Sequence, residues 1–424
     1  MSIRTCKNTL TDSQRDSLLE DLEIKSDRPD NHFICNATEH DDWVYIPFHY
    51  AGETLGIHPS KTLKCAPFEF RRDSPFIGEL RPYQKEVKKV VLDEINKSGV
   101  VLLSVHVGWG KSIFSIWLAH RTKLKTMIVV NKIALIHQWT KLIETFIPDS
   151  KVQVLSAKKP IDTDTDFLIA NICNINKKPI DHYDRFGTVI CDEIHLLLSL
   201  KGFPQLLHLT PRFLIGLSAT PYRMDELNAC VRLFFGDPTI TKALHRPYQV
   251  RTIHTPFVFT MEMASTGRLD WNSVLDQQGE SEARNRMIID IVAEYPQLKF
   301  LILCKRISQG EILHRICGER GIPSSDLTGN NEFDTTKRVL IATTKKFGTG
   351  VSVDDLTGLI LACDVEAYYI QFLGRVFRDP KSSPFVFDLI DSLTDGVRTL
   401  PFCPLKKHAK ERRKVYRETG GIFK

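Results

Sequence analysis

From Leu80 to about Pro238, short apolar runs alternate with amphipathic stretches. Val100–Val105, Met127–Val130, Phe167–Ala170, Thr188–Cys191 and Phe213–Leu217 are apolar at consecutive positions and rich in β-branched residues. Unbroken apolarity, rather than alternation, means that both faces of such a strand are covered, which is the signature of a parallel sheet between helix layers. The stretch Ser112–Lys123 between two of these runs carries a helical pattern. A second series follows with Phe300–Cys304, Arg338–Ala342, Gly358–Ala362 and Phe385–Ile390. The expected fold class is therefore α/β, with two parallel-sheet domains in tandem.

The flanks have a different texture. Residues 1–76 predict a small N-terminal domain or flanking segment, helical over Thr11–Lys25 and strand-like over Asp42–Tyr50. The first sheet domain is expected over 77–250, a polar connector over 251–282, the second domain over 283–398 and a basic tail over 399–424.

Composition narrows the class of protein. With 424 residues the chain is long enough for two or three domains, and 42% hydrophobic with 25% charged residues is ordinary globular usage. No run approaches the ~18 apolar residues of a membrane helix, and the N-terminus lacks the apolar core of a secretory signal. The 10 cysteines are scattered without a C-x-x-C pair, which argues for reduced thiols in an intracellular, soluble setting and against a zinc site. A net charge of +6 permits a polyanionic partner without requiring one.

The candidate chemistry sits at the ends of the predicted strands. After Val100–Val105, the turn Val107-Gly108-Trp109-Gly110 runs into Lys111-Ser112. Glycines there let backbone N–H groups face phosphate oxygens at a helix start; Lys111 would reach the β/γ-phosphates and Ser112 would ligate Mg²⁺. The full G-x-x-x-x-G-K-[ST] pattern is not met, because Val105 stands at its first glycine. Asp192 and Glu193 close the Thr188–Cys191 run, where ligands bind in open parallel sheets. Asp192 would hold the metal and Glu193 would orient or deprotonate the attacking water. An acidic pair alone is more often a solvated turn; its place downstream of a phosphate loop makes the difference. Ser218-Ala219-Thr220 closes the last strand of the first series, and Arg81 with Gln84 precedes the whole set, Gln84 offering an amide edge to adenine. In the second series, Gln371, Arg375 and Arg378 share one helical face, from which guanidinium groups would stabilise charge on a transferring phosphate.

Three loops suit a nucleic-acid track. Asn131 and Gln138 follow the second strand, Asn171 follows the third, and Thr344, Gly348 and Gly350 follow a strand of the second series. Hydroxyls and glycines there would grip a backbone without reading sequence, and the basic tail would add electrostatic hold.

The ordered set Gly108–Ser112, Asp192–His195, Leu217–Pro221 and Gln371–Arg378 resembles the superfamily 2 DExH-box helicases over about 80–391. Ser218–Arg223 and Gly348–Val353 resemble the group of the XPB helicases and UvsW. Asn131-Lys132, His137–Trp139 and Arg284-Asn285 resemble the poxvirus transcript-release helicase, as in a homologue from another large DNA virus. The resemblance implies two RecA-like domains, ATP and Mg²⁺ as cofactors, hydrolysis between the lobes and 3′-to-5′ movement on DNA, with RNA left open. It also implies ATP roles for Gln84, Lys111, Ser112, Asp192, Glu193, Gln371, Arg375 and Arg378, a setting in an infected cell or virion, and transcription or replication machinery as partners. Ser352 departs from the Asp found there in many relatives. The alternative is a nucleic-acid-binding structural subunit that has lost hydrolysis.

Overall fold

The computed structural model describes residues 1–25, 32–34, 38–40, 42–59, 75–199, 202–219, 228–242, 245–263, 270–328, 333–347, 353, 355–365, 369–376, 382–396 and 404–424. The chain divides into two units, Met1–Ala243 and Leu244–Lys424.

The first unit is built on seven parallel strands: β1 (Val100–Val105), β2 (Thr126–Val130), β3 (Val152–Val154), β4 (Phe167–Asn171), β5 (Thr188–Asp192), β6 (Phe213–Ser218) and β7 (Ile240–Lys242). Their spatial order is β7-β1-β6-β5-β2-β4-β3. The central strands are apolar throughout because each feeds two cores. Val101, Leu103, Ile128, Ile190 and Ile215 enter one, while Leu102, Met127, Val129, Cys191 and Leu214 enter the other. Helices α1 (Pro82–Ser98), α2 (Lys111–Thr122) and α3 (Ile133–Phe146) supply Val91, Phe114, Ile116, Trp139 and Ile143 to the first of these cores.

The opposite face is covered from the N-terminus. Ser2–Cys6, Thr38–His40 and Trp43–Pro47 form a small antiparallel sheet, and Met1, Ile3, Ile46 and Phe48 are buried in the same core as Leu102 and Val129. The N-terminal segment is thus a layer of the first unit. Its helix is shorter than the pattern predicted, Asp12–Asp21, with Glu23–Lys25 a strand.

The second unit repeats the design with β8 (Tyr248–Thr260), β9 (Phe300–Cys304), β10 (Ser324–Asp326), β11 (Val339–Thr343), β12 (Gly358–Leu361), β13 (Phe385–Thr394) and β14 (Gly421–Phe423), all parallel, in the order β10-β11-β9-β12-β13-β8-β14. Helices α4 (Trp271–Glu280), α5 (Glu282–Glu294), α6 (Ile307–Glu319), α7 (Tyr369–Val376) and α8 (Pro404–Glu418) accompany them. Two seven-stranded parallel sheets in succession are tandem RecA-like domains.

Three boundaries differ from the sequence reading. The expected connector 251–282 holds most of β8, which pairs with β13 from Gln249 to Thr260, and also α4. The first domain does not run to 250, because Tyr248–Val250 already pair with β14 and belong to the second unit. The expected tail is α8 and β14, packed into the second unit through Leu405, Ala409, Arg412 and Tyr416. Among the described residues, no helix is long and apolar enough to cross a membrane.

Candidate nucleotide and nucleic-acid site

The phosphate loop leaves β1 at Val105 and enters α2 through Gly110. Gly108 (φ 87°) and Gly110 (φ 91°) are left-handed, a conformation that glycine adopts without a Cβ penalty. A Cβ on Gly110 would also stand 2.7 Å from Gln84 Nε2. Trp109 keeps its backbone in the loop but turns its ring inward, 2% exposed, against Tyr83 (5.8 Å) and Phe114 (5.3 Å between centroids). The bulky residue between the glycines is therefore an anchor. Lys111 Nζ donates to the Val105 carbonyl at 3.0 Å, directly beneath the loop, and Ser112 lies in the first turn of α2.

One turn of α1 braces the other side of the loop. Pro82 opens the helix, where its missing N–H costs nothing. Gln84 Nε2 donates to the Trp109 carbonyl at 2.9 Å and the Gly110 carbonyl at 3.3 Å, while its oxygen accepts from Arg81 N at 2.8 Å. Arg81 Nη1 donates to the Gly108 carbonyl at 3.1 Å and the Tyr83 hydroxyl to the Trp109 carbonyl at 3.3 Å. These donors engage the loop's carbonyls from α1, and the Gly110 carbonyl also accepts from Phe114 N at 3.0 Å as the first bond of α2, whose opening N–H groups have no partner four residues back. Gln84 is 2% exposed with both ends of its amide engaged, so here it fixes the loop and presents no open edge to a base.

The acidic pair lies at the same end of the sheet. Asp192 is the last residue of β5 and is 7% exposed. Burial and the neighbouring Glu193 push its carboxyl up to about 6, against the opposing pull of the Trp139 indole and Lys111. Trp139 Nε1 donates to Asp192 Oδ2 at 2.9 Å, a contact that sequence reasoning missed; the only signal was an indole on the apolar face of α3. Glu193 has φ 52°, strained for a residue with a Cβ, and its carboxylate lies 3.5 Å from His195 Nδ1. That same ring nitrogen pairs with Ser218 Oγ at 3.0 Å, tying the acidic turn to the end of β6. Burial and Lys111 also hold the His106 imidazole below its ordinary range, against the pull of the Val107 carbonyl.

A hydroxyl, a buried carboxylate and a second acid form an all-oxygen set that suits Mg²⁺, and a glycine loop at a helix start suits a polyphosphate. Ser112 and Asp192 would hold the metal; Lys111 and the loop would hold the phosphates.

The other predicted residues are placed as follows. Asn131 directly follows β2, half-buried, and Asn171 ends β4, where its side chain accepts from Cys173 N at 3.0 Å. Val130 and Asn171 are register partners, so both loops leave the same sheet edge as Asp192. Gln138 is exposed on α3, and Thr344 follows β11. Gln371 and Arg375 lie on α7, with side chains outside the description. Thr220, Gly348, Gly350, Ser352 and Arg378 lie outside the described residues.

Two buried ionic clusters in the second unit were not foreseen. Arg284, fully buried, donates through Nε to both oxygens of Asp391 (3.0 and 3.1 Å) and through Nη1 to the Ala362 carbonyl (2.7 Å). Arg412 donates to Asp388 (2.9–3.2 Å), to Asp364 (2.8 Å) and to the Val365 carbonyl (3.1 Å). Both clusters hold the 362–365 segment that precedes α7 in sequence. Aspartates inside the apolar β13 were the available signal, since a buried carboxylate requires a cationic partner.

Residues 77–223 match the family described as "Type III restriction enzyme, res subunit". Across 94% of the chain, and 92% of the relative, the sequence is 36% identical to "Putative helicase 161L" of Invertebrate iridescent virus 6. It is 30% identical to "Putative helicase 055L" of Frog virus 3 (isolate Goorha), covering 90% of the chain and 86% of the relative. The chain belongs to the viral superfamily 2 helicases. A solved structure of T4 UvsW aligns over 98% of this chain and 96% of its own, at 16% identity and a TM-score of 0.38. Membership makes the chain a helicase-type nucleic-acid enzyme of an ATP-using family, in which Mg²⁺ is the usual companion ion.

Proposed function

We propose that this helicase hydrolyses Mg²⁺-ATP and uses it to move along DNA in a viral transcription, replication or recombination process. The observation that carries the reading is the convergence of Lys111, Ser112, Asp192 and Glu193 at the carboxyl edge of one parallel sheet, with Lys111 close enough to Asp192 to perturb its ionisation. In that reading Lys111 and the loop bind the β/γ-phosphates and Asp192 with Ser112 orient the metal. The metal, when bound, neutralises charge on the transferring phosphoryl group. Glu193 takes up the proton of the attacking water. Arg375 and Arg378 complete the site from the second domain, so that hydrolysis is linked to the approach and parting of the lobes. Asn131, Asn171 and Thr344, with Gly348 and Gly350 beyond it in sequence, contact the strand being tracked.

ATP turnover measured beside single-stranded DNA, duplex DNA and RNA tests the reading. DNA is expected to stimulate most, and Lys111→Ala to abolish turnover. Hydrolysis that persists in Lys111→Ala would remove the phosphate-loop assignment. Stimulation by RNA alone would move the substrate class.

A further inference from the structure

Asp192 differs from the buried aspartates of the second unit in what holds it. Asp388 and Asp391 each accept from a buried guanidinium. Among the described residues, no lysine or arginine pairs directly with Asp192, and Lys111 acts on it only through space. The side chain that donates to it, at 2.9 Å, is the neutral Trp139 indole. An indole can donate but cannot accept, and it carries no charge. It therefore fixes the carboxylate through Oδ2 and leaves its charge to be met by a cation. A guanidinium in that place would compete with the metal.

Trp139 is itself fixed by the helix that carries it. Ile136, Trp139 and Ile143 recur at three and four residues and form the buried stripe of α3, with Trp139 1% exposed. The neighbouring Gln138 faces outward. The start of the same helix is incomplete in two ways. Asn131, two residues before it, has its side-chain oxygen buried without a hydrogen-bond partner among the described residues, which costs free energy until a donor arrives. Ile133, the first residue of α3, is 69% exposed. Both features suit a ligand at the carboxyl edge of the sheet. One helix thus runs from that edge to the donor on Asp192, about 9 Å along its axis from Ile133 to Trp139.

We propose that Trp139 is a positioning residue of the ATP site, holding Asp192 where the metal needs it and making that position depend on α3. A strand bound at the Asn131 end of the helix then reaches the metal carboxylate through this one side chain. The proposal rests on the ATP and nucleic-acid reading above and supplies a physical link between its two ligands.

Trp139→Phe keeps a ring in the core and removes the donor. Equilibrium binding of a labelled, non-hydrolysable ATP analogue to the full chain, titrated with Mg²⁺, reads the consequence without turnover. The Mg²⁺ midpoint is expected to rise about tenfold, the lower end of what losing a partner behind a metal ligand costs. Binding of the analogue without Mg²⁺ should stay parental, and excess Mg²⁺ should restore ATP turnover, which a damaged fold would not allow. Single-stranded DNA is expected to lower the midpoint in the parent, by linkage, and to lose that effect in the variant. Should the Phe variant fold poorly, benzothienylalanine placed at position 139, with sulfur for the ring N–H, repeats the test at nearly constant shape. A parental midpoint in the variant, or a DNA shift that is absent from the parent or equal in both, would overturn the proposal. The helicase reading would then stand, with Trp139 a core residue only. A parent protein that neither binds the analogue nor hydrolyses ATP would overturn that reading and the proposal with it.

Discussion

Asp192 shows how the site works against the stability of its own fold. Its carboxyl is raised to about 6 from an ordinary value of 3.8, mainly by burial and secondarily by Glu193. The folded protein therefore keeps a proton that the unfolded chain loses between those values. Stability falls as pH rises through that window, and the cost persists at neutral pH, on the order of 3 kcal/mol for a shift of about two units. Asp192→Asn removes the charge and retains an oxygen that can accept from the Trp139 indole. In metal-free buffer the variant is expected to be more stable than the parent by about 1–3 kcal/mol at pH 7.5, with the difference vanishing below about pH 4. Its ATP turnover is expected to be lost. Urea unfolding at the two pH values checks this, and equal stability at pH 7.5 would show that Asp192 bears no desolvation cost. Glu193 adds a backbone contribution, because a left-handed residue with a Cβ costs on the order of 1–3 kcal/mol.

At the scale of elements, α8 carries more of the second unit than its composition suggests. Its buried face is Leu405, Ala409, Arg412 and Tyr416, so one position of the apolar stripe is a cation. Arg412→Met would keep the bulk of the side chain and leave Asp388 and Asp364 buried without their guanidinium. A loss of about 3–5 kcal/mol is expected, seen as an earlier unfolding transition of the second unit in urea. A loss below about 1 kcal/mol would mean that the guanidinium carries no net weight in holding the two carboxylates. The same interruption explains why α8 read as a solvated tail in the sequence, since an apolar period broken by Arg412 and surrounded by Lys406, Lys407, Lys410, Arg413, Lys414 and Arg417 has no visible core face. Strand β8 was hidden for a related reason. From Arg251 to Val258 its residues are half-buried or exposed, as on an open edge, so the run lacks the unbroken apolarity that marked β1, β5 and β9. Strands buried on both faces were legible as runs, and the loop and acidic pair at their ends were legible from spacing. Contacts made by one side chain across the fold, such as Trp139 on Asp192 and Gln84 on the loop carbonyls, leave no periodic trace.

At the scale of the whole molecule, each unit has its own parallel sheet and its own cores, two in the first unit and three in the second among the described residues. Lys111 and Asp192 belong to one unit, and Arg375 and Arg378 to the other. If the first unit alone bound and hydrolysed ATP, the arginines would be dispensable, and chemistry would have no means of acting on the second sheet. If they supply charge to the transferring phosphate, binding and turnover separate by mutation. Arg378→Ala is then expected to hold ATP within about threefold of the parent while turnover falls by ~10³ or more, the scale of a guanidinium acting on that transition state. Lys111→Ala would differ because its ammonium is proposed to meet the phosphates in the ground state as well, so nucleotide binding is expected to weaken together with turnover. Equilibrium binding of a labelled ATP analogue beside steady-state phosphate release distinguishes the two patterns. Parental turnover in Arg378→Ala would confine catalysis to the first unit and leave that arginine no part in stabilising the transferring phosphate.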